Sequence, residues 1–309
     1  MDSRQGKRGL GPKARKLNVV KKKVKELVAK EIKYISNFFP YNIKKFFNTS
    51  LIYSQNVLAF LNNDYPAASI FSSDFLYKLT NLLVGFELTA IGVNLHSFNA
   101  KDFMLLADNR KFRQKNEKSY TLDLLFGDIF YSRAVVYFME YEDFLIFTGI
   151  LDSLKQAHKS KLLLHQQLVE VINKNVIEMN GGAAVKKINP KVIKKYENQI
   201  EKLLDENLDL IIGINSLLKT SFIVGWALFA DSQKVKFPAS LINKFIMIKA
   251  YNDLKDFFSQ LPEEASSLKK IKNIGSQKNF IKGELNDIIS NLKPDWLKAN
   301  FKVLGRSYL

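Results

Sequence analysis

VKELVAKEIKYISNFF, Val24 to Phe39, is the stretch that decides the fold class. Val24, Leu27, Val28, Ile32, Ile35 and Phe39 return at steps of three and four, which lines up one apolar face of an α-helix. The same period continues outward in blocks at roughly 67–95, 119–138, 141–178, 190–213, 214–230, 238–259 and 278–292. Turn residues separate them, at Asn180-Gly181-Gly182 and Asn189-Pro190 among other places. Short alternating Val/Ile/Thr runs bounded by tight turns, the mark of strands, are absent. The expectation is an all-α chain of about ten to twelve helices.

The segment before this helix has a different character. MDSRQGKRGLGPKARK combines Gly, Pro and like charges without an apolar period, so residues 1–18 read as a disordered basic tail and 19–309 as one helical domain. The tail and first helix hold much of a net charge of +17, which would attract nucleic acid or an anionic membrane surface. Such a tail serves equally as a solvated solubility segment. With no Cys, the chain has no disulfide framework, thiol nucleophile or cysteine metal site, and three His exclude a histidine-rich one. Neither a signal-peptide core nor a long uncharged apolar run stands out, and the most apolar stretch, Leu217 to Ala230, is short and carries Lys219. The expected location is the cytoplasm, including the periphery of the inner membrane face.

Four segments share an order with a known family. ELTAIGVNLHSF at Glu87–Phe98 resembles the helix that opens the first aspartate-rich motif of the trans-isoprenyl (polyprenyl) diphosphate synthases, with Glu87, Leu88, Leu95 and His96 in place. DLLFGDIFYSRA at Asp123–Ala134 is similar to the family's next landmark through Gly127, Asp128, Arg133 and Ala134. Lys219-Thr220 resembles its diphosphate-contacting lysine helix, and NDLKDF at Asn252–Phe257 resembles its second aspartate motif. The resemblance spans roughly residues 20–292 and implies the isoprenoid synthase fold, helices surrounding a central cavity.

The departures fall on the chemistry. Ser97, Phe98 and Lys101 stand where the first motif has its aspartates, and Asp102 is one residue out of register. Magnesium takes hard oxygen ligands, so a phenylalanine there cannot hold it. The isopentenyl diphosphate signature expected before Glu87 is missing, and Lys249 replaces the glutamine ahead of the second motif. In these respects the chain is similar to component I of heterodimeric heptaprenyl diphosphate synthases.

The resemblance therefore implies a non-catalytic subunit that sets chain length in a heteromeric polyprenyl diphosphate synthase, partnered by a catalytic subunit or by a second copy. Asn252, Asp253 and Asp256 are the residual second motif, with magnesium bound weakly or through the partner, and Lys219, Thr220 and Lys249 the candidate diphosphate ligands. Each has a plainer reading: Asn252, Asp253 and Asp256 as a solvated face paired with Lys249 and Lys255, Lys219 as a snorkelling lysine, His96 as a hydrogen-bonded core histidine. An active prenyltransferase with a divergent first site remains open, as does a scaffold binding anionic lipid or, less favoured, nucleic acid. Asp123–Tyr141 is apolar almost all round, and its partner-facing side is expected to include Phe130 and Tyr137.

Overall fold

Ten helices and no strand make up the regular secondary structure of the residues described by the computed structural model, namely 12–38, 51–61, 72–96, 110–179, 198–199, 202–203, 206–229, 236–259, 272–293 and 295–308. They are α1 Pro12–Phe38, α2 Ile52–Leu58, α3 Ser73–Leu95, α4 Arg110–Met139, α5 Phe144–Met179, α6 Leu208–Ile214, α7 Ser216–Phe229, α8 Ala239–Ser259, α9 Lys272–Ser290 and α10 Asp295–Tyr308. The all-α expectation holds. Helix α1 begins at Pro12, so it takes in the last seven residues of the segment 1–18 that composition assigns to a tail. The turns expected at Asn180-Gly181-Gly182 and Asn189-Pro190 lie outside the described residues.

Helix α3 is the centre of the packing. Every residue from Leu79 to Gly92 is buried, against α4 on one side and α1 and α2 on others. Leu82, Leu83, Val84, Phe86 and Leu88 are wholly enclosed, each worth about 1.5–3 kcal/mol by removal from water. This helix is long and apolar enough to cross a membrane by length and composition, but 78% of its apolar window is buried inside the protein. Both of its ends are satisfied. Ser72 Oγ accepts from the Phe75 N–H at 3.1 Å with Asp74 in the first turn, a stabilising N-cap. At the other end the buried ammonium of Lys161 on α5 donates to the Val93 and His96 carbonyls, placing a cation on the negative end of the helix.

Close backbone approach recurs where glycine permits it. A methyl group on Gly225 of α7 would stand 2.3 Å from the Val57 carbonyl oxygen of α2, so α2 and α7 touch main chain to main chain. Helices α6 and α7 bend by 64° at Asn215, next to the boundary that the apolar period marks. Helix α10 closes over α2: Asn300 Nδ2 donates to the Ala59 and Leu61 carbonyls at 3.0 and 3.1 Å.

On α4 the outward side differs from the one expected. Phe130 is fully buried and Tyr137 donates its hydroxyl to Glu31, so both point inward. The exposed apolar members are Leu125, Val135, Val136 and Met139, continued on α5 by Phe144 and Leu145. An apolar helix with a uniform composition gives no sequence signal for which side is out; packing on α3 and α1 decides it.

Candidate functional site

A buried polar cluster sits where α2, α3, α7, α8 and α10 meet. Its anchor is Glu87, 4% exposed in the middle of the apolar helix α3. One carboxylate oxygen accepts the backbone N–H of Ser54, at 2.7 Å, from the first turn of α2. Burial drives the Glu87 pKa up to about 7, with the bonds from Ser54 and Tyr53 pulling partly back. A short helix contributes the donor because the first turn of any helix leaves N–H groups without intrahelical partners.

From there the network runs outward through residues far apart in sequence. Tyr308 at the end of α10 donates to Asn56 Oδ1 at 2.9 Å, and Asn56 Nδ2 donates to Ser221 Oγ on α7 at 3.0 Å. The Ser221 hydroxyl in turn donates to the Leu218 carbonyl at 2.7 Å. Asn252 Nδ2 on α8 reaches the Tyr308 carbonyl at 3.4 Å. Tyr53 is held far above the ordinary phenol range, first by burial and then by the negative charges of Asp253 and Glu87. Glu87 of α3 and Asp253 of α8 therefore act on one tyrosine.

A second cluster lies at the C-terminal end of α3. His96 Nε2 donates to the Leu124 carbonyl at 2.9 Å, with Asp128 Oδ1 at 3.5 Å. Tyr131 donates to His158 Nε2 at 3.0 Å. Burial, then the charge of Lys161, drives His158 down to about 4, so it is neutral near pH 7 and accepts that bond. The rings of His96 and His158 are 5.5 Å apart. Gly127 makes room for this group: a methyl there would lie 2.0 Å from the His96 ring.

The sequence-derived candidates separate into distinct places. Lys249 and Asp253 form an ion pair on α8, with Lys249 half-buried and Asp253 exposed. Asn252 is half-buried against Tyr308, while the side chain of Asp256 lies outside the described ones. Lys219 is exposed on α7 and Thr220 beside it is half-buried. Ser97, Phe98, Lys101 and Asp102 lie outside the described residues. Among the described residues no three His, Asp or Glu side chains gather as a metal site.

Sequence reading missed two groups. Glu31 and Arg133 form a doubly bonded pair, Nε to Oε2 at 2.8 Å and Nη2 to Oε1 at 2.7 Å, joined by the Tyr137 hydroxyl at 2.8 Å. The signal was present, since Glu31 falls on the stripe of Val24, Val28 and Ile35 where an unpaired charge is costly. The Asn56–Ser221–Tyr308 chain had none, because its members are 165 and 252 residues apart. Comparison of the chain with protein-family models, with curated proteins and with solved structures finds no match in any of the three.

Proposed function

We propose that this chain is a degenerate relative of the polyprenyl diphosphate synthases, a subunit that shapes the path of a growing isoprenoid chain while a partner performs the condensation. The observation that carries the reading is a hydrogen-bonded network that joins the two resembling segments through α2. Glu87, on the helix that resembles the first motif, accepts the Ser54 N–H of α2 at 2.7 Å, and Asn252, in the segment that resembles the second, donates to the Tyr308 carbonyl at 3.4 Å, while the Tyr308 hydroxyl donates to Asn56 of α2 at 2.9 Å. The order of the four resembling segments along the chain supports it as well.

The described donors do not suit magnesium. The one described carboxylate of the second motif, Asp253, is already paired with Lys249, and Asn252 offers a neutral amide tied to Tyr308. A magnesium site of this class needs one or two free carboxylates facing substrate phosphates. No step through a metal held by this chain is therefore proposed, and magnesium would belong to the partner's site. With Lys249 engaged by Asp253, the exposed Lys219 is the candidate cation to meet a diphosphate.

A partner surface is part of this reading. Leu125, Val136, Met139, Phe144 and Leu145 form an apolar face across α4 and α5, with Leu145 87% exposed. Exposed apolar patches on a protein surface are a mark of association sites. The face would seat the catalytic subunit or a second copy, and the complex would work in the cytoplasm.

Calorimetric titration with an allylic diphosphate, with pyrophosphate release followed in parallel, tests the proposal. Binding without release is the expected result. Release at a steady rate would favour an active enzyme with a divergent first site. Absence of binding both alone and alongside a catalytic subunit would overturn the reading.

A further inference from the structure

The turn between α4 and α5 pushes two apolar side chains into solvent. Phe144 and Leu145, 70% and 87% exposed, open α5 directly after it. The turn is held firmly. Asp143 Oδ1 accepts from the Leu145 and Ile146 N–H groups at 3.0 Å, and Lys78 of α3 pairs with Glu142 at 2.7 Å. Glu142 itself has a left-handed φ of 63°, which a residue other than glycine keeps only where its surroundings enforce it. The backbone under this knob is therefore preorganised, which lowers the cost of burying it.

Tyr77, the neighbour of Lys78, lines a groove of about 580 Å³ between α1 and α3. Val19, Val20, Leu27 and Leu76 make the groove apolar, and Lys23 lines it too. The Tyr77 hydroxyl donates to Glu140, at the start of the turn, at 3.1 Å, so one side chain connects groove and knob. The groove's volume is in the range that takes a small ligand whole, ample for two side chains.

Knob and groove carry opposite charge. Asp74, Glu140, Glu142 and Asp143 gather about the turn; among the described ion pairs Lys78 meets Asp74 and Glu142, and Glu140 and Asp143 meet none. On the groove side Lys22, Lys23, Lys25, Lys30 and Lys33 are exposed along α1 beside one exposed acid, Glu26. Lysines alone would suit any polyanion. An apolar groove rimmed by lysine asks instead for apolar side chains flanked by acid, which this chain presents at 140–145. Such a surface complements itself, since a two-fold axis brings each knob to the other copy's groove and each set of carboxylates to the other's lysines.

We infer that the chain forms a two-fold homodimer in which Phe144 and Leu145 of each copy occupy the α1–α3 groove of the other, with Glu140 set against Lys23. The contact assigns a second copy to the α4–α5 face of the proposed function, rests on that part of it alone and needs none of its isoprenoid chemistry. Calorimetry with an allylic diphosphate reports on that chemistry and sedimentation on this contact, so either can fail without the other.

The test uses the full chain, which has no Cys of its own. Sedimentation velocity over a concentration series should show monomer passing to a discrete dimer. Lys23→Glu and Glu140→Lys, both at exposed residues, should each weaken that dimer about tenfold at low salt. An equimolar mixture of the two should restore it, because both contacts of the mixed dimer then join opposite charges. Leu145→Cys mixed with Val19→Cys, again at exposed positions, should give a disulfide-linked dimer under mild oxidation faster than either variant by itself. Circular dichroism checks that each variant is folded. A monomer at every concentration, an open series of larger species, or a charge-variant mixture no tighter than its components would overturn the inference. Self-linking of Leu145→Cys as fast as the mixture would place the copies α5 to α5 and overturn it equally.

Discussion

Glu87 Oε1 and the Ser54 backbone nitrogen are 2.7 Å apart, a hydrogen bond that ties the buried carboxyl of α3 to the first turn of α2. Since burial raises the Glu87 pKa to about 7 from an ordinary 4.5, the folded chain takes up a proton across that window. Stability contributed by this group is therefore fully present at low pH and falls as pH rises through 7. Replacing Glu87 by Gln keeps the acceptor and removes the charge. The variant should match the parent near pH 4 and exceed it by on the order of 3 kcal/mol at pH 8 in urea unfolding. His158, held down to about 4, loses stability in the opposite direction, on acidification below 6.5; the difference between the two proteins cancels it. A variant less stable than the parent at pH 8 would show that the ionised carboxylate is what α2 requires.

Glu31 and Arg133 test the cost of separating a buried charge from its partner. Arg133→Met leaves the Glu31 carboxylate, 7% exposed, with only Tyr137. The loss should be about 2 kcal/mol, less than for a fully enclosed pair because Arg133 is 39% exposed. Adding Glu31→Met should recover most of it, a double-mutant outcome readable by thermal unfolding. Arg133 and Tyr137 lower the Glu31 pKa against the opposing effect of burial, so the pair's contribution should fade as pH falls below 4.5.

Much of the scaffold could be read from one chain, and the gaps have physical reasons. Helix α1 announces itself through Val24, Val28, Ile32 and Ile35, all buried. Helix α10 carries the same kind of signal, with Leu297, Phe301, Leu304 and Tyr308 buried, yet the apolar blocks read from the sequence stop at 292 and leave it out. Helix α2 has seven residues, too few to show a period, and it takes its place from Gly225 and Asn300 on other helices. The candidate site was half visible. Glu87 and Asn252 stood out by resemblance, whereas Asn56, Ser221 and Tyr308 become a unit only when α2, α7 and α10 meet.

The contact between α2 and α7 makes a sharp prediction about glycine. Gly225→Ala would drive a methyl into the Val57 main chain, which cannot rotate away, and should cost about 2–3 kcal/mol. Gly283 on α9 has nothing within 4 Å of the same methyl, so Gly283→Ala should add about 0.5–1 kcal/mol through helix propensity. Denaturant midpoints for the two variants should move in opposite directions.

The apolar face on α4 and α5 predicts where assembly fails. Phe144→Glu, at a residue 70% exposed, should leave the chain folded and weaken any complex at least tenfold. Phe130→Glu, at a position with no exposure, should unfold it. Sedimentation velocity with circular dichroism distinguishes the two. Unchanged assembly for Phe144→Glu would move the partner surface elsewhere.

The most direct measurement of the central proposal is incorporation of labelled isopentenyl diphosphate into allylic diphosphate by the purified chain with magnesium. The chain alone should give no polyprenyl product above background, because Ser97 and Phe98 stand where the synthases it resembles have their first aspartates and Lys249 pairs with Asp253. Addition of a synthase subunit carrying both aspartate motifs should yield product whose length changes with this chain present. Sustained product formation by the chain alone would contradict the account.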